Sequence, residues 1–213
     1  MLFENRIDAG RQLAEEVDVK NPEKSVIVAL PRGGVPLGIE LAKKRNIPFD
    51  VILSKKIGHP SHSEYAVGAL SEHGDPILDE TTQELLDQEW LDTELKRIRN
   101  EIARRQRMYS KEITKKPLKG KTVIIVDDGI ATGMTMKAAI EAAKAQEARK
   151  IIVAVPVIPK DTYKELESLV DDIAAVLIPG TFKGAVGAYY ADFKQLEDEE
   201  VMEMLHTYEN TDA

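Results

Sequence analysis

The sequence predicts an α/β domain built on a doubly wound, mainly parallel sheet. Two observations carry this. Five short runs rich in Val and Ile are continuously apolar rather than alternating: Val26–Leu30, Val51–Leu53, Val123–Val126, Ile151–Val157 and Ile173–Ile178. Strands buried on both faces have that pattern. Helical patterns fall between the runs, and a strand–helix alternation winds helices onto both faces of a parallel sheet.

Taken in order, Pro36–Arg45 carries Leu37, Ile39 and Leu41 and ends in a basic turn. Met134–Gln146 is rich in Ala, and Asp161–Val170 follows a proline and opens at an aspartate suited to an N-cap. Gln83–Lys111 departs from the rhythm. It has no Gly or Pro and predicts a helix of about 40 Å at 1.5 Å per residue. Its apolar stripe is Leu86, Trp90, Leu91, Leu95, Ile98 and Ile102. One reading is a helix packed on the sheet with a solvated basic face. The other is a dimer contact that presents Arg104, Arg105 or Arg107 to an anion, and a homodimer using this stripe is the expectation drawn from it.

A chain of 213 residues suffices for a single domain over 1–213. Hydrophobic residues at 43% and charged residues at 31% suit a globular protein. The absence of cysteine excludes disulfides and thiolate metal sites and fits a reducing, cytoplasmic setting. The segment Met1–Arg6 has no signal-like apolar core, and no apolar run approaches the roughly 20 residues that span a bilayer. A net charge of −8 argues against nucleic acid as a partner. The charge is uneven, however: Lys96–Lys121 holds 11 Lys and Arg against two acids, while acids crowd the tail from Glu197.

The chemistry concentrates in Val123–Thr135, which reads VIIVDDGIATGMT. Four apolar residues predict a strand whose carboxyl end is where open α/β sheets bind ligands. Asp127 and Asp128 sit at that end. Gly129 and Gly133 permit a tight loop around Ala131, and Thr132 and Thr135 supply hydroxyls. The following helix offers free N–H groups and the positive end of its dipole, a setting for a phosphate monoester. The acids cannot face a phosphate, so they meet hydroxyls or a cation. A sugar phosphate satisfies both halves. No Gly-Lys-Ser/Thr and no Gly-x-Gly-x-x-Gly is present, which excludes the Walker and dinucleotide loops.

This segment resembles the phosphoribosyl diphosphate (PRPP) signature of type I phosphoribosyltransferases. It is similar to the adenine version, where alanine stands at the place of Ala131; the hypoxanthine-guanine enzymes carry an acid there. The resemblance implies that PRPP binds with Mg2+, that Thr132, Gly133 and Thr135 hold the 5-phosphate, and that Asp127 and Asp128 hold the ribose diol and the hydrated metal. It implies transfer of the phosphoribosyl group to an acceptor, expected to be a nucleobase, with release of pyrophosphate. A non-catalytic PRPP sensor of the same fold is the alternative, with the basic helix as its partner surface.

Leu30-Pro31-Arg32-Gly33-Gly34 resembles the family's pyrophosphate loop. Its glycines admit a ligand to the backbone, and Arg32 offers a planar fork for phosphate. The resemblance suggests a cis peptide nearby. Because cis costs only about 0.5–1 kcal/mol before proline, Leu30–Pro31 is the expected bond. Lys55 and Lys56 follow the second strand, where they can meet a leaving pyrophosphate, with Lys56 beside Arg32 expected to stabilise it; they lead into a Gly/Pro/Ser/His run, which resembles the mobile loop that closes over the site. Glu64 in that run reads as a solvated carboxylate or as a base. His59 and His62 lack the partners of a metal site. Pro179–Phe193 resembles the hood of hypoxanthine-guanine enzymes, which makes Phe182 the residue to stack on a base and Asp192 a second metal contact. Packing of these aromatics into a small flap is the competing reading. The expected organisation is a core over 21–178, an insertion helix over 83–111 and a hood over 179–213, to which the N-terminus could add.

Overall fold

The structure, a computed structural model, describes residues 2–84 and 86–211. In chain order its elements are α1 (Arg6–Glu16), β1 (Ser25–Ala29), α2 (Gly34–Arg45), β2 (Phe49–Val51), β3 (Ser54–His59), β4 (His62–Ser71), β5 (Ile77–Leu78), α3 (Glu80–Gln83), α4 (Gln88–Tyr109), β6 (Thr122–Val126), α5 (Met134–Ala145), β7 (Lys150–Val157), α6 (Lys160–Glu167), β8 (Asp172–Leu177) and α7 (Asp198–Thr211).

Each predicted apolar run contributes a strand to one sheet, ordered β2-β1-β6-β7-β8, with every pairing parallel. Period-2 alternation divides their side chains between two cores. Ile27, Ala29, Ile124, Val126, Ile152 and Ala154 face a cluster that also holds residues of α1, α2, α4 and α7. Val26, Val28, Val123, Ile125, Ile151 and Val153 face a second cluster with α5 and Leu166 of α6. The chain order reverses between the neighbours β1 and β6, which is where such sheets bind ligands.

The predicted mobile loop after Lys55 is instead a hairpin. β3 pairs antiparallel with β4 from Ser54↔Ser71 to His59↔His62, and β5 adds a third strand. Pro60 and Ser61 alone form the turn. Ile57, Val67, Ala69 and Leu70 are buried, so apolar packing holds the flanking residues extended, and the ladder shifts register around Gly58. At the hairpin's root Glu72 N and Ser71 Oγ each donate to Leu53 O at 2.8 Å. Glu64's side chain lies outside the described residues.

The single long helix predicted over Gln83–Lys111 is two helices. α3 stops at Gln83, and Asp87 starts α4 by accepting from Trp90 N at 2.8 Å. The 22 residues of α4 span about 33 Å at 1.5 Å per residue. Leu91, Leu95, Ile98 and Ile102 are buried in the chain's own core, with Leu86 and Trp90 packed against it. The stripe is therefore covered within one chain, which removes the argument for a dimer drawn from it. α6 is capped at Pro159, and Asp161 lies in its first turn rather than at its N-cap.

The basic run and the acidic tail are partners. Asp198 meets Arg104 at 3.2 Å and Arg105 at 3.4 Å, and Glu209 meets Lys116 at 3.6 Å. Tyr109, wholly buried on the same helix as the arginines, donates to Asp198 Oδ1 at 2.7 Å. α7 buries Val201, Leu205 and Tyr208 in the first core. The N-terminus pairs with the segment before Asp192: Phe3 N donates to Tyr189 O at 3.0 Å, and Ala191 N donates to Phe3 O at 2.8 Å. No helix among the described residues is long and apolar enough to cross a membrane.

Candidate functional site

Two loops leave adjacent strands at the switch point and press against each other. One is Leu30–Gly34 after β1; the other is Asp127–Gly133 after β6. Leu30 N donates to Val126 O at 2.8 Å, which sets their relative height. A Cβ on Gly34 would stand 2.5 Å from Val126 O, and one on Gly33 would stand 2.0 Å from Asp128 Oδ2. Only glycine leaves room for that approach. The glycine pair thus packs against the aspartate pair.

A cis peptide is present in the first loop, at Pro31–Arg32 and not at Leu30–Pro31. Proline lowers the cis cost of the bond that precedes it, so that intrinsic preference is not what selects the observed position.

Asp127 Oδ1 accepts from Asp128 N at 2.8 Å. Asp128 Oδ2 accepts from Arg6 Nε at 2.8 Å, and Asp128 O accepts from the Tyr190 hydroxyl at 2.6 Å. Burial pushes the Asp127 carboxyl well above the usual carboxylate range, and the neighbouring Asp128 charge pushes it further. Burial also raises Asp128, against the pull of Arg6. Burial is likewise the main cause that raises the Tyr190 phenol.

Beyond the acids the chain turns through Gly129, Ile130 and the exposed Ala131 and Thr132. Ile130 N is anchored on Val157 O at 2.9 Å, and Ala131 O accepts from Thr162 Oγ1 at 2.9 Å. Gly133 has φ +77° and leads straight into α5, whose N-terminus has no side-chain cap. Uncapped amides at a helix start, beside a turn that only glycine makes easily, suit an anion. Thr135 lies in the first turn of α5, and its carbonyl accepts from Ser54 Oγ at 3.2 Å, which ties the hairpin to this loop.

The remaining predicted residues divide. Arg32 belongs to the first loop, with Nη1 on Glu197 Oε2 at 3.1 Å. Lys55 is ion-paired with Glu101 of α4. Lys56 is exposed on β3. With Gly58, His59, Trp90 and Arg97 these two lysines line a cavity of about 340 Å³ between hairpin and α4. Phe182 stacks on Tyr189, centroids 5.6 Å apart and 27° between planes, the packing expected of an aromatic flap. Asp192 is not gathered with the aspartate pair into a metal cluster: no group of three or more His, Asp or Glu able to hold a metal occurs among the described residues. Its backbone N binds Glu4 O at 2.8 Å, and its carboxylate faces Lys194 at 3.6 Å. Pairing with the N-terminal segment fixes Asp192 in the hood.

Mg2+ is commonly held by one or two carboxylates, with substrate phosphates and water completing the shell. Asp127 and Asp128 fit that requirement as donors, and a bound cation would favour the charged carboxylates that burial alone disfavours.

Sequence reasoning missed Arg6, Tyr190, Tyr109, Asp198 and Glu197. Asn5 and Asp8 carried a helix-start signal, since Asn5 Oδ1 caps Asp8 N at 3.0 Å. Nothing local signals that Arg6 reaches across 122 residues to Asp128.

A family model described as phosphoribosyl transferase domain matches residues 2–194. The Mycobacterium tuberculosis H37Rv protein named "Putative phosphoribosyl transferase Rv0571c" is 38% identical over 206 residues, 96% of this chain and 46% of that protein. The same figures hold for MT0597 of strain CDC 1551. The chain thus spans about half the length of the curated relatives it matches. The crystal structure of TT1426 from Thermus thermophilus aligns with a TM-score of 0.82 at 36% identity, covering 98% of this chain and 99% of that one.

Proposed function

This chain belongs to the phosphoribosyl transferase domain family, and on that premise we propose that it is a Mg2+-dependent transferase moving the 5-phosphoribosyl group from PRPP to a nucleobase, with release of pyrophosphate. The observation that carries the reading is the packing of Gly33–Gly34 against Asp127–Asp128 beside the uncapped start of α5. Within a few residues it provides a seat for a phosphate, carboxylates for a diol and metal, and an arginine for a leaving diphosphate.

In this reading the amides from Ala131 to Thr135 hold the 5-phosphate, with the hydroxyls of Thr132 and Thr135 as further donors. Asp127 and Asp128 accept from the ribose hydroxyls. A bound Mg2+ would be held by the same carboxylates and would neutralise charge on the diphosphate. Arg32 and the backbone of Gly33 and Gly34 meet the diphosphate as the bond from C1 to its oxygen breaks, and they stabilise the charge that develops there. The sugar passes through a cationic state, and a ring nitrogen of the acceptor supplies the electron pair of the new bond. Lys55 and Lys56 contribute from the hairpin, and Phe182 offers a face to the base from the hood.

Calorimetry of PRPP with Thr132→Ala plus Thr135→Ala tests the phosphate seat. The double variant is expected to lose roughly tenfold or more in affinity, about one to two charge-assisted hydrogen bonds. Unchanged affinity would remove the assignment. Pyrophosphate release from PRPP across a panel of purines and pyrimidines tests the reaction and identifies the acceptor; a chain that binds PRPP and releases none would be a sensor instead.

A further inference from the structure

We propose that Arg6 is a positioning residue for substrate binding: it orients Asp128 and neutralises it from inside the fold, so that a polyanion meets a site already partly balanced in charge. This rests on the reading that PRPP binds at the aspartate pair.

The problem it addresses is electrostatic. PRPP carries several negative charges, and the site that receives it holds two adjacent, part-buried carboxylates. Like charges a few ångström apart in a partly desolvated site repel strongly. Arg6 places a cation directly on one of them, with Nε 2.8 Å from Asp128 Oδ2. Both side chains are largely shielded, at 12% and 15% exposure, so solvent screens the pair little.

The geometry also fixes direction. Asp128 Oδ2 is closed in by the Gly33 backbone on one side, where a Cβ would stand 2.0 Å away, and by Arg6 on another. The guanidinium is itself held: Nη1 donates to Lys194 O at 2.6 Å, and its face lies 4.0 Å from the centre of the Phe193 ring. Phe193 in turn packs on Tyr190, whose hydroxyl binds Asp128 O at 2.6 Å. Tyr190, which holds the Asp128 main chain, thus packs on the same ring that stacks on Arg6. A planar fork suits this arrangement, because it donates in two fixed directions while stacking on a ring; a lysine ammonium does only part of that.

The test is calorimetric titration of PRPP into wild type, Arg6→Met and Arg6→Lys over a range of Mg2+ concentrations, with thermal unfolding of each variant as a control. Arg6→Met keeps an aliphatic stem against Phe193 and removes the charge. It is expected to bind PRPP roughly tenfold or more weakly, the scale of one uncompensated charge near a polyanion. It should also require more Mg2+, since the metal must then do the neutralising. Arg6→Lys is expected to recover part of the affinity and most of the wild-type Mg2+ dependence. A folded Arg6→Met that binds PRPP as wild type does, with the same Mg2+ dependence, would leave Arg6 a mere tether between α1 and the hood and overturn the proposal. Tighter binding would also overturn it, by making Arg6 a competitor of substrate. If Arg6→Met does not fold, wild-type affinity in Arg6→Lys overturns the orienting role, and a measurable loss in that variant upholds it. Failure of the wild type to bind PRPP at any Mg2+ concentration would instead overturn the functional reading beneath it.

Discussion

Arg32 Nη1 lies 3.1 Å from Glu197 Oε2, so the arginine of the first loop is held by the acid immediately before α7. A diphosphate that takes Arg32 Nη1 competes with that carboxylate. Glu197 is 59% exposed, and exposed pairs contribute little, about 0–1 kcal/mol. Glu197→Gln is therefore expected to tighten pyrophosphate binding by about two- to fivefold. Competition against PRPP measures it, and a weaker affinity would show that Glu197 helps to present Arg32.

Asp127→Asn should stabilise the unliganded protein while it weakens PRPP binding. Burial raises the folded Asp127 pKa well above 3.8. A group of that kind costs stability when ionised: stability falls as pH rises from about 3.8 through the folded value, then levels off. The amide keeps an oxygen for Asp128 N and carries no charge. A gain of about 1 kcal/mol at neutral pH is expected, typical of relieving a functional site. Thermal unfolding across pH would show wild type gaining more on mild acidification than the variant.

Asp198→Asn should do the opposite. Burial pushes the Asp198 carboxyl up, but the hydrogen bonds from Tyr109 and Arg104 and the charges of Arg105 and Arg32 outweigh it and leave the group below its usual value. Its contribution is present above about 3.8 and is lost as pH falls through the lower folded value. A cost of about 2 kcal/mol is expected at neutral pH, the scale of hydrogen bonds to a charged acceptor. Urea unfolding at neutral and at low pH should show the difference between wild type and variant shrink in acid.

Gly34→Ala should separate the two loops of the site. The added methyl would stand 2.5 Å from Val126 O and 3.0 Å from Asp127 Cα, backbone atoms that cannot rotate aside. Overpacking of this kind costs about 1–3 kcal/mol. A lower melting temperature together with loss of PRPP binding is expected. A variant with unchanged stability would mean that the contact is looser than the geometry indicates.

What the sequence made legible follows the range of the interactions. The strands of the sheet and the turn from Gly129 into α5 are specified by neighbours within a few residues. The break before α4 has a local signal in the cap Asp87, but the absence of Gly and Pro around it makes the segment read as one helix. The hairpin was harder. Its Gly, Pro and Ser residues read as a loop, yet burial of Ile57 and Val67 by the rest of the fold holds it as strands. Arg6 on Asp128 and the tail acids on α4 were not legible at all, since each pairing closes a span of roughly 90 residues or more.

The two sides of the sheet also differ in how far the chain must travel to complete them. One cluster draws only on residues from Val26 to Ala175 and centres on the consecutive segment of β6, α5, β7 and α6. The other runs from Phe3 to Tyr208. Contacts between near neighbours form fast, whereas distant closure is slow because chain entropy opposes it. The β6–α5 unit is thus expected to acquire protection from amide exchange early in refolding, bringing the phosphate seat with it. The Arg6–Asp128 bond waits for the N-terminal segment to arrive, and the Asp198 node for the C-terminal one. Ligand recognition would then switch on in two kinetic steps, a weak anion seat first and a charge-balanced pocket only when the N-terminal segment brings Arg6 to Asp128.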